Sequence, residues 1–217
     1  MTRLVLVRHG HALCNVERTI EGVATCRGLT KLGKKQVEVL ARRLATEQVH
    51  IDAMFSSTIR RATETASTLA SALGQGYEID PFLEELRPGD AEGMTWDQYS
   101  AFYGNSEGWH PTVPFAPNAE AWIDFARRVA AGLDQIARQY RDKTVLIVTH
   151  GGVVDASVFH YFGLDPTEQS PIDFESSNTG ITEWERRTFT NIDKSDVHRW
   201  RLVRYNDASH LFGLAAP

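Results

Sequence analysis

The sequence predicts an α/β fold with a mostly parallel central sheet and helices on both faces. Three observations carry this expectation. The apolar runs Leu4 to Val7 and Val145 to Val148 are continuous rather than alternating, as strands buried on both faces are. Segments with apolar residues at helical spacing lie between such runs, the pattern of parallel strands joined by crossovers. Both runs break into a histidine followed by glycine, His9-Gly10 and His150-Gly151. In open sheets of this class that strand end is where ligands sit.

The elements follow in order. After the first strand, His11 to Arg27 has no sustained period and reads as a loop carrying at most a helical turn. Thr30 can cap a helix whose stripe is Leu32, Val37, Leu40, Ala41 and Leu44. Asp52 to Ser56 is a short strand. Ser57 or Thr58 is expected to cap the next helix, which has Arg60 and Arg61 in its first turn and Gly74 at its end. Tyr77 to Leu83 looks extended, and EELRPGDAEG after it is acidic and turn-rich. Thr95 to Tyr103 is a short helix, and Gly104 to Pro117, with Trp109 and His110, a loop. Together these two make a small helical and loop cap. Asn118 is expected to cap a long amphipathic helix reaching about Tyr140. A helix follows His150, and Gly180 to Glu185 and Trp200 to Tyr205 read as strands joined through the polar stretch Arg187 to His198.

The chain of 217 residues has no Pro/Gly/Ser-rich linker, so residues 1–217 are expected to form one domain. With 42% apolar and 24% charged residues the composition is that of a globular protein. A net charge of -5 argues against a nucleic-acid partner, so an anionic ligand must be held by a local cluster of arginines. The first strand begins near residue 4, which leaves no room for a signal peptide, and no run reaches membrane-spanning length. A cytoplasmic location with no membrane partner is therefore expected, with Cys14 and Cys26 as free thiols. Dimerisation is not legible, and a homodimer stays open.

Two strand-end histidines with nearby arginines suit attack on phosphorus. Gly10 and Gly151 allow close approach, Arg8 offers a forked donor to phosphate oxygens, and Arg61 adds a second fork near a helix N-terminus. A ring of fixed cations is what the charge-spread transition state of phosphoryl transfer needs. The leaving alkoxide needs a proton from a carboxylic acid, and Glu84, Glu85, Asp90 and Glu92 are the candidates. Spacing alone does not choose among them. Isolated, His9 would more often be a structural histidine and Arg8 or Arg61 a salt-bridge partner; Asn15 could simply cap a turn. No histidine has ligand-like spacing with cysteines or carboxylates, so no metal is expected.

Taken together, these motifs resemble the histidine phosphatase superfamily, the phosphoglycerate mutase-like proteins. Arg8, His9 and Gly10 match its RHG signature, with Asn15 at the motif's asparagine. Leu29 to Leu44 resembles its LTxxGxxQAxxLAxxL helix, Ser56 to Ala66 its SSxLxRAxxTA segment, and Thr149 to Gly152 its SHGG element. EELRPGDAEG resembles its ExxxGxxEG loop. The resemblance implies a phosphoglycerate mutase-like fold and a metal-independent, cofactor-free phosphomonoesterase acting on a small phosphorylated metabolite. It implies a phosphohistidine on His9, phosphate binding by Arg8, Asn15, Arg61, His150 and Gly151, and Glu85 as proton donor. His150 counts with His9 and Glu85 as catalytic. Phosphoglycerate mutase-type transfer, or a silent domain that binds phosphorylated ligands, are the alternatives. The chain departs from the pattern at His11 and Ala12, where the family commonly has Glu-Thr or Glu-Ser. It departs again in GVATCRGLT, and at Asp155, where arginine is frequent.

Overall fold

The structure, a computed structural model, describes residues 1–104, 110–170 and 172–214. In chain order its elements are β1 (Thr2–Arg8), α1 (Leu13–Glu17), α2 (Lys31–Thr46), β2 (Ala53–Ser56), α3 (Arg60–Leu73), β3 (Glu78–Ile79), α4 (Trp96–Tyr103), α5 (Trp122–Gln139), β4 (Thr144–Thr149), α6 (Gly151–Phe162), β5 (Ile181–Thr190) and β6 (Asp196–Asp207). The strands form one sheet in the order β3-β2-β4-β1-β5-β6. The first four run parallel, while β5 is antiparallel to β1 and β6 to β5. This is the expected α/β architecture.

Pleating explains why β1 is apolar at every central position. Leu4 and Leu6 face one layer with Val145 and Ile147 of β4, against Phe125, Val129, Leu133 and Ile136 of α5 and Val153 and Val154 of α6. Val5 and Val7 face the other layer with Leu146 and Val148, against Val37, Leu40 and Leu44 of α2 and Ala62, Ala66 and Leu69 of α3. Each fully buried Leu or Val contributes roughly 1.5–3 kcal/mol, so two covered faces make the middle of the sheet its most rigid part. Register places the site: Leu4 pairs with Val145 and Arg8 with Thr149, so His9 and His150 leave adjacent strands at one level.

Several boundaries differ from the expectation. Thr30 does cap α2, accepting from Gly33 N at 3.0 Å, and Gly74 closes α3 in the left-handed region. Neither Ser57 nor Thr58 caps α3, however, because the cap position is Ile59 and both hydroxyls are engaged elsewhere. Asn118 does not cap α5 either. It has φ of 59°, its amide donates to Asp90, and the helix starts after Ala121. Tyr77 to Leu83 is extended only at Glu78–Ile79, since the Asp80 carboxylate accepts from Phe82 N and Pro81 opens a 3-10 turn. Most of the polar stretch Arg187 to His198 belongs to the long β5–β6 hairpin itself. Its apolar alternation is weak because much of it faces solvent.

A small separate cluster forms the cap. Ile20, Ala91, Tyr99 and Ala116 pack together with Met94, Tyr103 and Phe115 against them, and Tyr99 OH donates to the Phe115 carbonyl at 2.8 Å. Trp109 lies outside the described residues.

Candidate active site

β1 delivers Arg8 and His9 into a cavity of about 350 Å³ that also meets Asn15, Arg61, Glu85 and Gly152. His9 is 3% exposed. Its Nδ1 lies 2.8 Å from the Gly10 carbonyl, which can only accept, so Nδ1 carries the proton and Nε2 keeps its lone pair. Arg61 Nε donates to that Nε2 at 3.1 Å. Burial first, then the positive charges of Arg61 and Arg8, push His9 well below the ordinary histidine value. The ring is therefore neutral at neutral pH. Gly10 is required by close approach, since a Cβ there would lie 2.8 Å from the Gly33 carbonyl and 2.9 Å from Val37. Gly10 N donates to Thr65 Oγ1 at 3.1 Å and Asn178 Nδ2 to the His9 carbonyl at 3.0 Å, which fixes the backbone on both sides of the imidazole.

His150 is fully buried, with its ring centroid 5.2 Å from that of His9. Its Nε2 is 2.8 Å from Ser57 Oγ, which already accepts from Ile59 N. With His150 as the available acceptor, the Ser57 hydroxyl donates to Nε2 and leaves Nδ1–H as a donor with no protein partner. Burial, followed by the charge of Arg61, holds His150 well below its ordinary value too. Arg8 is anchored through Nη1 on the Ser176 carbonyl, while its Nε has no partner. Two buried donors thus stand unpaired beside a neutral imidazole. Gly151, in the first turn of α6, leaves room for Arg8 and Ser176.

The four carboxylates of the acidic loop separate by environment. Glu84 is taken by Thr58 Oγ1 and by Arg87 Nε at 3.0 Å. Asp90 accepts from Asn118 Nδ2, and Glu92 from Ala24 N, Thr25 N and Thr25 Oγ1. Glu85 alone of the four lines the cavity, accepting from Leu86 N at 2.9 Å and Gly152 N at 3.1 Å. A Cβ on Gly152 would collide with Glu85 Oε1. Asn15 lines the cavity while its Oδ1 accepts from Ala12 N, so its turn-capping and site positions coincide. Sequence reasoning did not find Ser57, Thr65 or Asn178, whose contacts are long-range. It also missed Glu21, which lines the cavity and whose backbone carbonyl accepts from Arg61 Nη1 at 3.1 Å. Among the described residues no cluster of His, Cys, Asp or Glu is arranged to hold a metal ion.

A family model of the histidine phosphatase superfamily (branch 1) matches residues 4–207. The chain belongs to that superfamily. As a histidine phosphatase it is a phosphoric monoester hydrolase. It is 32% identical over 165 residues to a metal-independent phosphoserine phosphatase of Arabidopsis thaliana, covering 72% of this chain and 67% of that one. It is 29% identical over 221 residues to a glucosyl-3-phosphoglycerate phosphatase of Mycolicibacterium vanbaalenii, covering 96% of each. The solved structure of Bacillus stearothermophilus YhfR superposes with a TM-score of 0.80 at 27% identity, over 97% of this chain and all of that one. This histidine phosphatase carries Asp155 on α6, one turn beyond Gly151 and within electrostatic reach of Glu85 and Arg8. Burial first, then the Glu85 charge, push it up to about 7.

Proposed function

We propose that the protein hydrolyses a small phosphorylated metabolite through a phosphohistidine on His9. The observation that carries this reading is the fixed tautomer of His9, with Nδ1–H committed to the Gly10 carbonyl and a neutral Nε2 in the cavity. Nε2 attacks phosphorus, the phosphorus–oxygen ester bond breaks, and Glu85 gives its proton to the departing alkoxide. Water then attacks phosphorus, the phosphorus–nitrogen bond breaks with its electron pair returning to His9 Nε2, and the Glu85 carboxylate takes the water's proton, so inorganic phosphate leaves and both groups are restored. Arg8 and Arg61 bind the equatorial oxygens, and the free His150 Nδ1–H supplies a neutral donor. Asn15 and Gly151 complete the phosphate contacts from α1 and the start of α6. The chemistry assigns no step to a metal.

The cavity volume limits the leaving group to metabolite size, and Trp96, Phe115, Trp122 and Phe125 give it an apolar wall. Similarity to phosphatases named for phosphoserine and for glucosyl-3-phosphoglycerate supports that class. The two unpaired cysteines favour a reducing compartment, the cytoplasm. The test is hydrolysis of p-nitrophenyl phosphate and a panel of phosphorylated metabolites in excess chelator, with quenching in denaturant at alkaline pH to trap labelled enzyme. Chelator-insensitive turnover and an acid-labile, base-stable phosphoryl label absent from His9→Ala are expected. Turnover that His9→Ala leaves intact would overturn the mechanism, and inactivity across the panel would overturn the phosphatase reading.

A further inference from the structure

Glu85 has two anchors for its carboxylate, and only one of them is independent. Leu86 N belongs to the same loop and moves with it, which leaves Gly152 N as the one external hydrogen-bond donor to the carboxylate among the described residues. The direction of the carboxyl group therefore depends on where the backbone of residues 81–87 is held. Leu83 is buried and its carbonyl accepts from Thr149 Oγ1 at 2.8 Å, while the carbonyls on either side of it are held by one side chain. Arg128 of α5 donates through Nη1 to the carbonyls of Pro81, Phe82 and Glu84 at 3.3, 3.0 and 3.1 Å, and through Nη2 to that of Glu85 at 3.3 Å.

The guanidinium is itself fixed. Glu120 pairs with it at both ends, Nε to Oε1 at 2.8 Å and Nη2 to Oε2 at 2.7 Å, with side-chain exposures of 10% and 11%. Glu120 also meets the far end of the loop: its N donates to the Arg87 carbonyl at 2.9 Å and its Oε2 accepts from Arg87 N at 3.3 Å. The Arg128 guanidinium lies 5.1 Å from the ring centroid of Phe125, which lines the cavity, but Arg128 does not line it. Only a planar five-donor fork can serve a carboxylate and four carbonyls at once, which a lysine cannot do.

We propose that Arg128, held by Glu120, is a positioning residue that sets the alignment of Glu85 for proton transfer. The inference rests on the reading of Glu85 as proton donor. A merely structural ion pair would lower activity on every substrate alike, through the folded fraction. A pair that aligns the acid matters in proportion to how badly the leaving group needs a proton.

The experiment compares kcat/KM for phenyl phosphate, a poor leaving group, with p-nitrophenyl phosphate, a good one, for Arg128→Gln, Glu85→Gln and Leu133→Ala. Leu133 is a buried core residue of the same helix, far from any polar role. Arg128→Gln is expected to lose roughly 10- to 100-fold on phenyl phosphate, a part of the roughly 10²–10⁴-fold that a general acid contributes. On p-nitrophenyl phosphate it should lose about twofold. Glu85→Gln should show the same selectivity more strongly, and Leu133→Ala none. Equal losses on both esters, or no loss, in Arg128→Gln while Glu85→Gln stays selective would overturn the inference alone. A Glu85→Gln variant without selectivity would overturn the Glu85 reading and this inference with it. If Arg128→Gln does not fold, Arg128→Lys and Glu120→Gln are read by the same ratio, and equal losses there also overturn the proposal.

Discussion

Arg61 donates from Nε to the lone pair of His9 Nε2 at 3.1 Å, with both side chains buried. The same guanidinium that would bind a phosphate oxygen thus keeps the imidazole neutral. Because neutral His9 is the attacking form and its proton affinity is lowered, kcat/KM should persist below the pH at which an ordinary histidine protonates. Arg61→Ala removes the positive charge that, after burial, depresses His9 most, together with a proposed phosphate ligand. It is expected to lower kcat/KM by about 10²–10³ and to move the acid limb upward in pH. Profiles of p-nitrophenyl phosphate hydrolysis for both proteins check this, with substrate ionisation common to the two.

Ser57 tests whether His150 is held as a donor. Ser57→Ala leaves the buried His150 Nε2 without its partner and also removes the acceptor for Ile59 N. An unfolding free energy lower by about 1–3 kcal/mol and a reduced kcat/KM are expected. Denaturant unfolding measured beside steady-state kinetics separates the two effects.

Two adjacent glycines should respond differently to the same methyl group. At Gly152 a Cβ would collide with Glu85 Oε1 and so displace the carboxylate whose Oε2 accepts from the Gly152 amide, whereas at Gly151 its nearest neighbour is Ser176 Oγ at 3.1 Å. Gly152→Ala is expected to lose roughly 10²-fold in kcat/KM, the scale of a displaced general acid. Its melting temperature should fall only modestly, because the nearest obstructing atom ends a flexible side chain and the buried Phe125 ring, 3.2 Å from the added Cβ, must give by only a few tenths of an ångström. Gly151→Ala should be the milder change, and kinetics with thermal unfolding on both variants check the order.

Acid should destabilise the fold through its two central histidines. His9 and His150 have lowered values in the folded protein, so the stability they confer is complete above the ordinary histidine value of 6.5 and falls as pH drops below it. Asp155 acts in the opposite sense. Raised to about 7 from 3.8, it makes the folded state less stable as pH rises between those values. Asp155→Asn removes that opposing slope, so its stability advantage over the parent should grow from pH 5 to pH 7, at up to about 1.4 kcal/mol per pH unit, and then level off. Denaturant melts at several pH values check the sign.

Local patterns that serve one purpose were readable in the sequence. The two doubly covered strands, the Thr30 cap, the Gly74 terminator and the strand-end His9 and His150 all carry their signals within a few residues. Capping by Ser57, Thr58 and Asn118 failed because each side chain answers a distant partner: His150, Glu84 and Asp90. Spacing left four carboxylates open and the family resemblance pointed to Glu85; Glu84 and Glu85 are neighbours in sequence that differ in the direction they face, and of the four Glu85 lines the cavity. Arg128 was invisible for a related reason. In sequence it is one of three arginines on an amphipathic helix, and only packing brings it to the carbonyls of residues 81–85.

The pairing of β1 with β4 also governs when a refolding molecule first becomes competent. These parallel neighbours come from distant parts of the chain, and closing so long a loop is entropically slow compared with forming any helix. No stretch of chain that ends before residue 150 or begins after residue 9 contains both imidazoles, so recovered turnover reports that this one long-range junction has closed.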